Sequence, residues 1–188
     1  MDHDVRIRHI TEGDWDDIVA LEADTYADGA LSEGRAALRS RARSSPATCF
    51  VLEVGRQLAG YVLSLPYPVG QYPDLDREEE VVFHSRNLHL HDLVVGEAHR
   101  GDGLAGELLR RVTTAARAKR YQRISLVSVG GSEGFWSAQG FHALREIALP
   151  ANYGPDAVYM SMAVAADPRP ERRNPSTIRR ADHPRMTK

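Results

Sequence analysis

Two histidines, His89 and His91, are the side chains in this sequence best suited to move a proton near neutral pH, because imidazole has an unperturbed pKa of about 6.5. The apolar run around them predicts a strand. Since side chains alternate along a strand, both imidazoles are expected on one face with Leu93 and Val95, and Asp92 on the other. The pattern therefore places two proton-exchanging groups side by side.

A glycine-rich turn follows this strand and opens a predicted helix, 104–119. The helix has one apolar face, formed by Leu104, Leu108, Leu109, Val112 and Ala115 or Ala116. The first amides of a helix have no partner inside it and carry partial positive charge. The turn therefore predicts a receptor for phosphate. A glycine turn with no ligand is the alternative, and two glycines directly at a helix start favour the phosphate site.

The glycine spacing fits several phosphate-binding loops to different degrees. Gly101, Gly103 and Gly106 spell G-x-G-x-x-G, but they follow several predicted strands, and the next strand, 124–129, does not end in an acidic residue as a dinucleotide fold requires. The sequence G-x-x-x-x-G-K-[ST] is absent. The pattern Arg/Gln-x-x-Gly-x-Gly/Ala fits better, and it begins at Arg100 and ends at Ala105.

This segment resembles the pyrophosphate loop of the GNAT acyltransferase superfamily, which binds the diphosphate of coenzyme A. The strand 93–95 resembles that family's strand, whose backbone pairs with the pantetheine arm, and 134–141 resembles its F-Y-x-x-x-G-F segment. The resemblance implies acetyl-CoA as co-substrate, no metal, and coenzyme A contacts at Leu93, Val94, Val95, Arg100, Gly101, Asp102, Gly103, Leu104, Ala105, Gly106, Phe135 and Trp136.

The histidine run is similar to that of arylalkylamine (serotonin-type) N-acetyltransferases, in which such a pair removes the amine proton through water. The resemblance implies His89 and His91 as catalytic bases. Asp92 is the third catalytic candidate, either orienting a histidine or binding the amine. In the family a bulge opens this strand, so an N–H within 93–95 is expected to stabilise the oxyanion.

One position departs from the family pattern. Trp136 stands where the family often has a tyrosine that protonates the coenzyme A thiolate. An indole N–H donates a hydrogen bond but is not a usable acid. Water, a hydroxyl of Ser128, Ser132 or Ser137, or departure of the unprotonated thiolate are the alternatives.

Composition bounds the class of protein. The 188 residues are 42% hydrophobic and 27% charged, with a formal net charge of −2. This balance predicts neither nucleic-acid nor membrane partners. The single cysteine, Cys49, excludes an internal disulfide framework and is expected to be buried. With no signal-peptide core at the start, a cytoplasmic location is expected, and a homodimer is compatible with the sequence.

The predicted element order is β-α-α-β-β-β-α-β-α-β-β, which is also the order of the GNAT fold. The expected fold class is therefore α/β (α+β), with a mixed, mostly antiparallel sheet flanked by helices on both faces. Residues 1–165 form one predicted domain. Residues 166–188, with seven basic side chains and four prolines, predict a disordered tail. The weakly apolar helix 33–44 is expected to be superficial.

A loop of about 20 residues, 66–86, is long enough to suggest a function or disorder. Its acidic run, 74–80, either attracts a cationic amine or is a solvated surface. The function expected from all these features is direct transfer of an acetyl group from acetyl-CoA to a primary amine of a small molecule in a ternary complex. A protein or antibiotic acceptor and a non-catalytic coenzyme A-binding module are the alternatives.

Overall fold

The computed structural model describes residues 4–165, so the tail predicted at 166–188 lies outside the described residues. The helices are α1 (Trp15–Thr25), α2 (Arg35–Ser44), α3 (Leu104–Ala118) and α4 (Glu133–Ala138). The strands are β1 (Val5–His9), β2 (Phe50–Val54), β3 (Gln57–Pro66), β4 (Asn87–Val95), β5 (Arg123–Ser128), β6 (His142–Ala143) and β7 (Val158–Ala163). Among the described residues, no helix has the length and apolarity needed to cross a membrane.

The strands form one seven-stranded sheet in the order β1-β2-β3-β4-β5-β7-β6. All neighbours are antiparallel except β4 and β5, which are parallel. The predicted strand 141–149 is reduced to two residues, because the chain turns at Leu144, where the Ile147 N–H donates to the Leu144 carbonyl at 3.2 Å. The expected mixed, mostly antiparallel sheet and the predicted element order are confirmed.

Two apolar clusters cover the two faces of the sheet. One packs α3 and Trp136 against the sheet, and it buries the predicted α3 face (Leu104, Leu108, Leu109, Val112 and Ala116). The other packs α1 and α2 through Trp15, Ile18 and Leu38. The helices therefore lie on both faces, as expected from the sequence.

Helix α2 is not superficial, so that prediction is wrong. Ala37, Leu38 and Ala42 are buried, and the Arg41 side chain is only 1% exposed. A buried guanidinium needs anionic partners, and two carboxylates supply them. One of these, Glu79, belongs to the long loop, so Arg41 also fastens that loop to α2.

The 67–86 loop is tied to the domain at several further points. The Tyr153 hydroxyl donates to the Pro73 carbonyl at 2.7 Å, and the Gly70 N–H donates to the Tyr159 hydroxyl at 2.9 Å. Near its end, the Ser85 hydroxyl donates to the Tyr67 carbonyl at 2.9 Å. These bonds hold the loop in a defined path beside the carboxyl-terminal half of the sheet.

Candidate active site

Strands β4 and β5 separate partway along the sheet and leave an opening between them. Their pairing runs from Asn87–Arg123 to His89–Ser125 and then stops, while β4 continues to Val95. The Gly96 N–H donates to β3 at 2.8 Å. Because successive residues of a strand bond to opposite sides, the N–H groups of Leu93 and Val95 turn toward the opening. These are free backbone donors beside a cleft.

A cavity of about 820 Å³ occupies this opening. Residues 90–95 of β4 form part of its wall. What we call the acidic wall comprises Tyr26, Asp28, Glu33 and Asp92. Asp28 is exposed, whereas Glu33 and Asp92 are buried, so Asp28 is the carboxylate of this wall most accessible to a cation.

A β-bulge at His91 changes which side chains share a face. Leu63 of β3 pairs with Asp92 and Ser64 pairs with Leu90, so His91 is the extra residue. An inserted residue reverses the alternation beyond it. Leu90 and Leu93 consequently pack into the same cluster, the one on the α3 side.

The bulge corrects the predicted faces of the strand. Leu93 and Val95 lie with the α3 cluster, whereas Val94 lies with the α1 and α2 cluster. Asp92 contacts Tyr61 of that second cluster and lies on the histidine side of the sheet. The expectation that Asp92 points away from the histidines, and that Leu93 and Val95 share their face, was wrong because it assumed unbroken alternation.

His91 is held by a carboxylate from outside its own strand. Its Nε2 lies within hydrogen-bond distance of Glu33 Oε2, just before α2. The side chains of His91 and Glu33 are 3% and 4% exposed. His91 Nδ1 is buried and has no hydrogen-bond partner among the described residues. A carboxylate on one nitrogen fixes the ring and leaves the other nitrogen as a proton acceptor.

Glu33 stays ionised in this buried position because Arg41 and the His91 imidazole contact it. Burial raises the pKa of Glu33, but His91 and Arg41 more than offset that effect and leave the pKa lowered. Arg41 Nη2 donates to Glu33 Oε1 at 2.6 Å. The Glu33 carboxylate therefore bridges an imidazole and a guanidinium.

Asp92 sits between two tyrosines in the cavity wall. It accepts hydrogen bonds from the Tyr61 hydroxyl at 2.5 Å and the Tyr26 hydroxyl at 2.8 Å. Burial raises the pKa of Asp92 to about 6, against the lowering effects of both hydroxyls and His91. Glu33, not Asp92, makes the hydrogen bond to His91.

His89 lies deeper than His91. It is 1% exposed, does not line the cavity, and its Nδ1 is 3.0 Å from the Ser125 hydroxyl. Burial lowers the pKa of His89 well below its ordinary value, and His91 and Arg41 lower it further. Its ring centroid is 6.3 Å from that of His91. Its position suits support of His91 more than contact with a ligand.

The glycine turn has the conformation that a phosphate receptor requires. Gly101 and Gly103 have φ values of 92° and 79°, in the left-handed region that favours glycine. The first helical bond runs from the Glu107 N–H to the Gly103 carbonyl at 3.2 Å. The amides of 103–106 therefore precede the first helical hydrogen bond and are free for a ligand.

The other predicted coenzyme A residues are partly brought together around the cavity. Leu93, Val94, Val95, Arg100, Ala105, Phe135 and Trp136 line it. Gly101, Asp102, Gly103, Leu104 and Gly106 belong to the same turn but are not among its lining residues. Asp102 faces His99, with 3.9 Å between Oδ2 and the imidazole Nδ1.

Trp136 is mainly a packing residue. It is 8% exposed and forms edge-to-face contacts with Phe135 and Phe141, with ring centroids 4.9 and 5.5 Å apart. Phe135 is 40% exposed at the cavity. Ser132 also lines the cavity, but its hydroxyl donates to the Val129 carbonyl at 2.7 Å.

Within residues 4–165 no group of side chains is arranged to hold a metal ion.

Sequence reasoning missed Glu33, Tyr26, Tyr61 and Arg41. Glu33 is far from His91 in the chain, and Tyr61 is far from Asp92, so no local spacing links them. No sequence signal marks the burial of Arg41, because its helix is weakly apolar.

Comparison with known protein families gives one match for this chain. The model of the acetyltransferase (GNAT) family matches residues 15–141. No curated protein sequence matches the chain.

Solved structures share the fold at low sequence identity. Ard1 from Thermoplasma volcanium is 17% identical with a TM-score of 0.68, over 86% of this chain and 98% of that one. The N-acetylglutamate synthase from Neisseria gonorrhoeae, complexed with coenzyme A and N-acetyl-glutamate, is 18% identical with a TM-score of 0.67, over 88% of this chain and 36% of that one. The GphF GNAT-like decarboxylase in complex with isobutyryl-CoA is 21% identical with a TM-score of 0.66, over 85% of this chain and all of that one, 100%.

These structural similarities show the fold alone, and the family assignment rests on the match to the family model. Its match extends from the first helix, across the bulged strand and the glycine turn, to the short helix after β5. The chain belongs to the acetyltransferase (GNAT) family.

Proposed function

We propose that this protein transfers an acetyl group from acetyl-CoA to the primary amine of a small molecule, directly and within a ternary complex. The observation that carries the proposal is His91, a histidine in the cavity wall whose Nε2 is held by Glu33 and whose Nδ1 has no partner among the described residues. It lies on the same strand that leads into the glycine turn. His91 thus borders the same cavity as Arg100 and Ala105 of the glycine turn.

In the proposed reaction the 101–106 turn binds the diphosphate through its free amides, and the thioester lies along β4. His91 removes a proton from the substrate ammonium, directly or through water. The neutral amine then attacks the thioester carbon and forms a C–N bond. An N–H of Leu93 or Val95, both turned toward the opening, stabilises the oxyanion. The attacking nitrogen then loses its second proton to solvent, the C–S bond breaks to leave a neutral amide, and coenzyme A leaves as the thiolate.

The thiolate leaves without a dedicated acid in this proposal. Trp136 packs against two aromatic rings, and the Ser132 hydroxyl already donates to a backbone carbonyl. A thiol pKa near 8.5 makes the thiolate a fair leaving group on its own. Solvent then supplies the proton, in keeping with the absence of a tyrosine at position 136.

A small acceptor is supported by the loop beside the cavity. Leu75 of the 67–86 loop and Tyr153 both line the cavity, and Tyr153 is bonded to Pro73 of the loop. Arg41 of α2 forms an ion pair with Glu79 of the loop. A fixed loop favours a compact amine over an extended protein tail, and the acidic wall favours a cationic one. A cytoplasmic location, where acetyl-CoA is available, belongs to the same proposal.

The proposal is tested by incubating purified protein with acetyl-CoA and a panel of acceptors while free thiol is measured. We expect coenzyme A release with at least one small primary amine, confirmed as an acetylated product by mass. Cys49 is fully buried, so the protein's own thiol will react slowly. Turnover with peptides alone would support a protein acceptor, and tight binding of acetyl-CoA without turnover with any acceptor would support a non-catalytic module.

The role of the 101–106 turn in binding coenzyme A is tested separately by Gly103→Ala. We expect at least a tenfold weaker binding of coenzyme A by calorimetry, because a side chain at φ 79° strains the turn that aims the amides. Gly55→Ala is the matched control. Gly55 has φ 64° in the β2–β3 turn, away from the cavity. Both changes should cost about 1–2 kcal/mol of stability. Equal coenzyme A affinity in the two variants would contradict the assignment.

A further inference from the structure

The Glu33–His91 pair is one end of a larger buried chain of charges. Arg41 Nη2 contacts Glu33 Oε1 at 2.6 Å, and Arg41 Nη1 contacts Glu79 Oε1 at 2.5 Å. The side chains of Arg41, Glu33 and Glu79 are 1%, 4% and 6% exposed. Imidazole, carboxylate, guanidinium and carboxylate therefore follow one another from the cavity wall to the long loop.

The 67–86 loop is attached to this series of buried charges by several hydrogen bonds. Arg41 Nη2 also donates to the Asp74 carbonyl at 2.8 Å. Glu79 accepts from the Tyr67 hydroxyl at 3.0 Å, and its own N–H donates to the Ser40 hydroxyl at 2.8 Å. Glu79 is thus fixed on both its backbone and its side chain, and it holds Arg41 in place.

Charge balance gives this arrangement a consequence for proton transfer. With a neutral His91, two carboxylates and one guanidinium leave one excess negative charge in a buried cluster. When His91 takes a proton, the cluster becomes neutral. Net charge is costly in a region of low dielectric, so the cluster favours proton uptake by His91.

His89 is a titratable neighbour of His91, and the cation Arg100 lines the same cavity. His89 stays neutral because burial lowers its pKa well below the ordinary value. Asp92 interacts electrostatically with His91 and is hydrogen-bonded to Tyr26 and Tyr61. Glu22 acts on both tyrosines, and Asp28 and Tyr153 line the same cavity.

We propose that Arg41 and Glu79 are positioning residues for the catalytic base, so that docking of the 67–86 loop on α2 sets how strongly His91 binds a proton. This proposal rests on the proposed function only for its kinetic consequence. The coupling between Glu79 and His91 is a property of the protein with or without substrate.

The decisive variant is Glu79→Gln, which keeps an oxygen for Arg41 and removes one negative charge. The cluster is then neutral with a neutral His91 and positive with a protonated one, so proton uptake becomes less favourable. We expect the His91 ring signal, followed by NMR on histidine-labelled protein and assigned by its loss in His91→Gln, to titrate about one pH unit lower than in the wild type. Glu80→Gln is the matched control, since Glu80 is the exposed next residue of the same loop.

The kinetic arm uses the same variants. In Glu79→Gln the acid limb of kcat/KM should move to lower pH, and kcat should fall about tenfold, with the KM for acetyl-CoA unchanged. Arg41→Lys keeps the positive charge but not both arms of the guanidinium. The His91 titration in Arg41→Lys should therefore stay closer to that of the wild type than the His91 titration in Arg41→Met.

Two outcomes would overturn the proposal. The first is an unchanged His91 titration in Glu79→Gln, which, if the melting temperature falls, would make Glu79 purely structural. The second is an equal shift in Glu80→Gln, which would indicate a general field. If the wild type has no acetyltransferase activity, the proposed function fails, but the NMR titration still decides the coupling.

Discussion

Replacing His91 with glutamine should lower kcat/KM for the acceptor amine by about 10²–10³, within the usual range for loss of a general base. Glutamine can still donate to Glu33, so the cavity wall is preserved, but its amide cannot take a proton. The pH profile provides the specific test. Wild-type activity should fall as the pH drops and His91 becomes protonated, and the variant should lose this acid limb.

His89 and Asp92 could each produce a similar acid limb in the pH profile, and a variant of each residue tests this. His89→Gln should retain the limb, because burial lowers the pKa of His89 well below its ordinary value. Asp92 is the stronger competitor, since burial raises its pKa to about 6. A limb near pH 6 that persists in His91→Gln and disappears in Asp92→Asn would reassign the base to Asp92. His142→Gln, at an exposed position on β6, should match the wild type.

Local patterns predicted most of the fold. The α3 face was readable because its apolar residues recur with helical spacing, and the structure buries them as predicted. The hairpin at Gly55 and the long loop were readable from turn residues and from the lack of periodicity. These features depend on residues close together in the chain, which a single sequence displays.

The candidate site depends on features that local patterns do not display. The bulge at His91 occurs with no glycine or proline to mark it, and it moved Asp92 to the histidine side. The partner of His91 was missed because Glu33 lies on a different element and approaches only when α2 packs on the sheet. Burial of Arg41 reversed the expectation for α2, because two ion pairs made a polar helix compatible with the interior.

The same buried charges predict a large effect on stability when Arg41 is replaced by methionine. The change leaves Glu33 and Glu79 without their shared guanidinium in a region from which water is excluded. Removing one partner of a buried ion pair costs about 3–5 kcal/mol, because the remaining charge is uncompensated. We expect a loss of this size in the free energy of unfolding at pH 8, measured by urea denaturation.

Arg39→Met is the matched control on the same helix. Arg39 pairs with Glu12, whose side chain is 78% exposed, and lies 5.9 Å from the Trp15 ring. Exposed contacts of this kind contribute about 1 kcal/mol or less. Equal losses in the two variants would show that the buried cluster does not contribute as its geometry implies.

The pH dependence of the Arg41→Met loss follows from Glu33. In the wild type the pKa of Glu33 is lowered, so its contribution to stability is present above its unfolded pKa and is lost only as the pH falls through the folded value. Without Arg41, burial is opposed by His91 alone, and the pKa of Glu33 rises. If it rises above the unfolded value, the folded variant binds protons that the unfolded chain does not, so its stability increases as the pH falls. The gap between wild type and Arg41→Met should therefore narrow from pH 8 to pH 5, whereas a constant gap would show that lost packing, rather than uncompensated charge, destabilises the variant.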